Sequence, residues 1–143
     1  MDNVMDKVDF GVRFKDTLMG ALGIEFVEIG PEKVVATMPV NEATRQPAGI
    51  MHGGASVVLA ETVASEGTYF MIDLENQLAV GLEINANHIR SKSEGIVTAV
   101  GIPTYKGRKT HVWDVKIFDE DNKLICISRC TMLIMERRPE NQV

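Results

Sequence analysis

Cysteine is nearly absent: Cys126 and Cys130 are the only two in 143 residues. On one strand, residues four apart share a face but sit about 13 Å from each other. A disulfide cannot close over that span. Two unpaired thiols and eight methionines therefore lead us to expect a reducing, cytoplasmic setting. Long apolar runs are also lacking. The longest, Ala55 to Ala60, is far short of the roughly 20 residues a spanning helix needs. The acidic N-terminal residues carry no apolar stretch of the kind an export leader uses. Net positive charge is missing too: 15 basic against 20 acidic residues leave −5. That balance argues against duplex nucleic acid or an anionic membrane as the main partner. It leaves room for a local basic pocket. No repeat or low-complexity run divides the chain, so one domain over residues 1–143 is expected, with its core at about 20–135.

Apolar periodicity supplies the elements. Residues 10–20 predict a short amphipathic helix stopped near Gly20 or Gly23. Strands are expected at Ile24–Ile29 and Val34–Pro39, joined by the Gly30-Pro31-Glu32-Lys33 turn. Residues 41–51 read as a loop. From Gly53 to about Tyr69 the pattern is helical and apolar on most sides, so this helix should be wrapped by other structure. Four strands follow: Leu78–Arg90, Gly95–Thr104, Thr110–Phe118 and Leu124–Met135. Alternation in Leu78, Val80, Leu82, Ile84, Ala86 and His88 assigns those residues to one face. The result is an α+β chain, an antiparallel sheet of five to six strands curled around one helix. A curled sheet leaves an open edge, for which self-association is the simplest remedy.

Chemistry concentrates between Gln46 and Glu61. Glu61 interrupts an apolar helix, where an unpaired buried carboxylate costs several kcal/mol. At 100° per residue, Gly54, Glu61, Ser65 and Thr68 fall within about 40° of one another, a polar stripe suited to a wet wall. Glu66 projects near the opposite side and is expected to be solvated or paired. His52-Gly53-Gly54 opens the helix. Glycines there allow close approach of a ligand, or simply tight packing. The first helical N–H groups lack internal partners and suit an oxyanion. Glu61 lies roughly 12 Å along the axis from Gly53. A site shared between two copies of the helix would bring the two together. Gln46 either hydrogen-bonds a ligand carbonyl or closes its own turn. Two basic clusters, His88-Ile89-Arg90-Ser91-Lys92 and Lys106-Gly107-Arg108-Lys109, suit phosphates or are solvated turns. The Gly101–Thr110 stretch lacks P-loop spacing, and no nucleophile elbow, zinc-ligand spacing or dinucleotide fingerprint occurs.

The run from Gln46 through His52-Gly53-Gly54-Ala55-Ser56 to Glu61 and Ser65 resembles the hotdog-fold acyl-CoA thioesterases. The likeness is greatest to the branch of the phenylacetate-pathway and Arthrobacter-type 4-hydroxybenzoyl-CoA enzymes. Gly81–Arg90 and Gly107–Trp113 match that branch as well. The resemblance implies a hotdog sheet around a central helix and paired subunits, often doubled to a homotetramer, with active sites at the dimer interface. It implies Glu61 as general base or nucleophile and Gly53 N–H of the other subunit as carbonyl donor. Gln46 and His52 would orient the carbonyl and leaving sulfur, and Ser65 would hold water or acyl group. His88, Arg90, Ser91, Lys106, Gly107, Arg108 and Lys109 would hold the CoA nucleotide. It further implies an aromatic or medium-chain acyl-CoA substrate, no metal and no cofactor besides CoA itself. Leu82, Ile84 and Ala86 are expected in the acyl pocket. An acyl-carrier protein is the alternative carrier. A hotdog dehydratase or hydratase and a non-catalytic acyl-CoA-binding module are the competing readings.

Overall fold

A computed structural model describes residues 14–139. Its elements are α1 (Leu18–Ala21), β1 (Glu25–Ile29), β2 (Val34–Pro39), α2 (Gly53–Met71), β3 (Gln77–His88), β4 (Ile96–Lys106), β5 (Thr110–Phe118) and β6 (Leu124–Glu136). All six strands form one antiparallel sheet in the order β1-β2-β4-β5-β6-β3. The sheet curls around α2, the hotdog arrangement. Among the described residues, no helix is long and apolar enough to cross a membrane.

Two strands alternate as expected. Val34, Ala36 and Met38 of β2 face inward, as do His111, Trp113, Val115 and Ile117 of β5. They close on Leu59, Ala60, Val63 and Ala64 of α2, all fully buried. The sheet approaches the helix so closely that a Cβ at Gly67 would collide with the Trp113 ring, which also donates Nε1–H to Thr68 Oγ1 at 2.9 Å. Gly67→Ala therefore overpacks this seam. It should lower stability by about 1–3 kcal/mol, read as a lower urea midpoint at unchanged slope.

Within the described residues the expected N-terminal helix is interrupted. Among residues 14–20 of the anticipated element, Phe14 is helical, residues 15–17 turn, and the helix Leu18–Ala21 begins at Leu18; residues 10–13 lie outside the described residues. Gly20 is within the helix. Gly23 ends it, at φ 72°, where Ile24 N–H reaches back to Met19 O.

The alternation expected of β3 fails midway. A bulge between Gly81 and Glu83 inserts Leu82 as an extra residue, and such an insertion reverses which face later residues take. Ala79 is buried before it. Ile84 and Ala86 pack on the core after it. Val80 and Leu82 are 40% and 59% exposed. Leu82 thus leaves the interior, and the backbone at Ala79–Gly81 takes the place expected of it.

Buried polar groups on β5 have a thermodynamic consequence. His111 is almost wholly enclosed, and its Nδ1 has no hydrogen-bond partner. Burial, then the charge of Lys106, lowers its pKa from 6.5. Below about pH 6.5 the unfolded chain takes up a proton that the folded chain refuses. Stability should fall as pH drops from there through the folded value. Urea midpoints measured from pH 7.5 down to about 5 should decline more steeply for the wild type than for His111→Gln.

Candidate active site

The loop before α2 is fixed by its own hydrogen bonds. Thr44 Oγ1 donates to Pro39 O and accepts from Asn41 N–H, each at 3.0 Å. His52 N–H donates to Thr44 O at 2.8 Å, and Met51 N–H to Lys92 O at 2.7 Å. Gln46 N–H meets Ile50 O, and Gly49, at φ 85°, donates back to Gln46 O. Gln46 Oε1 accepts from Ala48 N–H. The side chain thus closes its own turn, and that bond leaves the Nε2 hydrogens as donors.

His52 is the N-cap of α2. Its Nδ1 accepts from Gly54 N–H at 2.7 Å. An accepting Nδ1 assigns the ring proton to Nε2. The cap consumes the Gly54 amide, whereas Gly53 N–H donates to no acceptor among the described residues. It stands at the positive end of a 19-residue helix. The His88 ring covers this spot. A Cβ at Gly53 would sit 2.7 Å from His88 Nε2. Gln46, Gly53, Ser56, His88, Arg90 and Ser91 line one cavity of about 300 Å³. Lys92 borders it too, bound to Glu120 at 2.7 Å. That bond holds the Glu120 carboxyl down at about 2.

Glu61 and Ser65 line a different cavity, of about 260 Å³, between α2, α1 and β3. Glu61 is half-buried rather than enclosed. Its carboxylate lies against Gly81 so closely that a Cβ there would strike Oε1. Gly81 is thus a site residue that the residue pattern alone did not single out. The available signal was a glycine inside a strand, which marks close approach or a bulge; here it marks both.

Two expectations for α2 are corrected. Thr68 is fully buried, bonded to Trp113, and does not extend the polar stripe. Of the two alternatives for Glu66, solvated or paired, the second holds, since it is 6% exposed and engaged within the protein; what is corrected is its side, for it lines the same cavity as Glu61.

One chain therefore carries the candidate residues as two half-sites. Gln46, His52, Gly53, His88, Arg90 and Ser91 cluster at the start of α2, and Glu61 with Ser65 stands about two turns on. Lys106, Gly107, Arg108 and Lys109 belong to neither. Their turn joins β4 to β5 at the sheet's other end, six rows along β6 from His88, or about 20 Å. Lys106 Nζ is paired there with Glu32 at 3.2 Å.

The chain's relatives share this architecture. Residues 48–126 match the thioesterase superfamily family model. The Bacillus subtilis protein ComA2 is 54% identical over 123 residues, 86% of this chain and 98% of its own length. A 1,4-dihydroxy-2-naphthoyl-CoA hydrolase of Escherichia coli is 49% identical over 118 residues, covering 82% of this chain and 86% of its own. The crystal structure of a mutant thioesterase of Pseudomonas aeruginosa, PA1618, superposes with a TM-score of 0.89 at 39% identity, covering 96% of this chain and 97% of that one. With a helix-borne carboxylate facing a cavity and an unspent amide at the same helix's start, the chain belongs to the thioesterase superfamily, a thioester hydrolase of hotdog fold.

Proposed function

We propose that the protein hydrolyses an aromatic or medium-chain acyl-CoA to the free acid and CoA at a site completed by a second copy of the chain. The observation that carries this reading is the division of the chemistry along α2. The open Gly53 amide and the Glu61 carboxylate border separate cavities of one chain. β3 is an edge strand. Antiparallel pairing of two β3 strands centred between Ile84 and Asn85 sets His88 of one chain opposite Gly81 of the other. Since His88 covers Gly53 and Gly81 carries Glu61, that pairing unites the halves. A two-fold dimer gives two such sites, and a further doubling gives the tetramer the resemblance implies.

The chemistry then balances without a metal or added cofactor. Gly53 N–H, with Gln46 Nε2–H and His52 Nε2–H beside it, donates to the thioester oxygen. In one route Glu61 takes a proton from water, whose oxygen bonds to the carbonyl carbon. The tetrahedral oxyanion rests on the same donors. It collapses, the C–S bond breaks, and the proton passes to sulfur. In the other, a Glu61 carboxylate oxygen bonds to the carbonyl carbon, the C–S bond breaks and CoA leaves as the thiolate; water then cleaves the anhydride to the free acid and the Glu61 carboxylate, and the proton released goes to the thiolate. Ser65, one turn on, holds the water or the acyl group. His88, Arg90 and Ser91 meet the CoA moiety near the helix start. Lys106, Gly107, Arg108 and Lys109 reach the nucleotide only from another chain or along an extended ligand. Thiol release from a panel of acyl-CoAs, with Glu61→Ala alongside, tests the reading. Release by the wild type alone supports it. No release from any member, with analogue binding retained, moves the protein to a binding module. Activity on carrier-protein thioesters but not CoA thioesters would make an acyl-carrier protein the partner.

A further inference from the structure

The connection from β3 to β4 carries Arg90 and Ser91 to the cavity at the start of α2. Residues 89–95 form neither helix nor strand. Ordering such a stretch costs backbone and side-chain entropy, so whatever holds it matters to any ligand it touches. The β5–β6 hairpin holds both of its ends. Ile125 O accepts from Ile89 N–H at 2.8 Å and from Arg90 N–H at 3.3 Å. At the far end one carboxylate spans residues 92 to 96. Glu120 Oε1 accepts from Lys92 Nζ at 2.7 Å, and Oε2 from Ile96 N–H at 3.3 Å. The carboxylate lies against Gly95, at φ 85°, where a Cβ would strike Oε2. The turn that bears Glu120 is itself fixed. Asp119 Oδ1 accepts from Asp121 N–H and Lys123 N–H, each at 2.9 Å, and Asp119 N–H donates to Lys123 O at 3.0 Å.

Neither stability nor charge accounts for this carboxylate. The Glu120 side chain is 50% exposed, and an ion pair so open to water stabilises a fold little. Its charge also neutralises Lys92, which borders the cavity, and repels an anionic ligand there. We infer that Glu120 is a positioning residue for CoA: by bridging Lys92 and Ile96 it fixes the β3–β4 connection, so that Arg90 and Ser91 are ordered before the ligand arrives. This rests on the reading of that cavity as the CoA half-site. Prior ordering lowers the entropy lost on binding. It leaves the reaction itself alone. The turn into Gly53 is placed by the bond from His52 N–H to Thr44 O, and Glu61 lies in the other cavity.

The test compares benzoyl-CoA or hexanoyl-CoA, whichever turns over faster, with the matching N-acetylcysteamine thioester, which lacks the nucleotide. Both kcat and KM are measured for wild type, Glu120→Gln and Glu120→Ala. In Glu120→Ala the KM for acyl-CoA should rise about three- to tenfold, with kcat little changed. Glutamine keeps an acceptor for one of the two partners, so its KM should fall between alanine and wild type. The N-acetylcysteamine thioester should be turned over alike by all three. A role through charge alone gives the opposite sign, a lower KM for acyl-CoA in both variants. Damage to the fold lowers turnover of both substrates together. Either pattern, or an unchanged KM for acyl-CoA, overturns the inference. Calorimetric titration with free CoA separates it from the reading beneath it. Weaker binding in Glu120→Ala, with no thiol release even by the wild type, keeps the role of Glu120 and removes hydrolysis. Equal binding, with thiol release by the wild type, removes the role of Glu120 and keeps hydrolysis. No CoA binding and no thiol release by the wild type removes both.

Discussion

Glu61→Ala should lower kcat by about 10²–10⁴-fold, the range for loss of a positioned general base, and leave the fold intact. Alanine is the best helix former, and Glu61 is half-buried beside a cavity, so its removal opens no sealed void. Glu61→Gln should lose as much, since the amide keeps the shape but neither accepts a proton nor attacks a carbonyl. Thiol release against time gives kcat, and thermal unfolding checks that the variants are folded. Turnover at the wild-type rate in either variant removes Glu61 from the chemistry.

The second expectation concerns the other end of the helix. Gly53→Pro deletes the amide hydrogen assigned to the thioester oxygen and little else of the backbone. Proline suits the first helical position. His52 before it is already extended, at φ −66° and ψ 132°, as a residue preceding proline must be. The ring pushes on the end of the His88 side chain, which can swing. Loss of one oxyanion donor typically costs about 10²–10³ in kcat. The decisive step is to unfold and refold Gly53→Pro and Glu61→Ala together. If each site takes its amide from one chain and its carboxylate from the other, mixed dimers hold one intact site and one doubly defective site. About a quarter of all sites then regain wild-type form. Recovery near that fraction is the expected result. No recovery from a mixture shown by mass to contain mixed dimers would assign both groups to one chain.

The strands of the sheet were legible because inward residues alternate wherever the ladder is regular. Val34, Ala36 and Met38 are one case, and His111 to Ile117 the other. The helix was legible in its bounds and in its isolated Glu61. The phase of β3 was not, since a bulge is a backbone event and only Gly81 hinted at it. The sides that Thr68 and Glu66 take were misplaced for a shared reason. Angular position on a helix predicts exposure only when one side faces water, and α2 is wrapped by the sheet and flanked by α1. Thr68 met Trp113, and Glu66 met the cavity. The separation of Lys106–Lys109 from His88 was likewise beyond periodicity, because it follows from strand order.

The two thiols lie on β6 among the core residues. Burial, with the nearby charges of Glu61 and Glu83, pushes Cys130 up to about 12, and burial raises Cys126 as well. Disulfide exchange needs a thiolate and access, and these positions offer neither. A catalyst whose every turnover liberates a thiol is thereby insulated from its own product. Oxidised CoA accumulating in its surroundings finds no cysteine to cap, so the protein tolerates a redox swing that would silence an enzyme with a surface thiol.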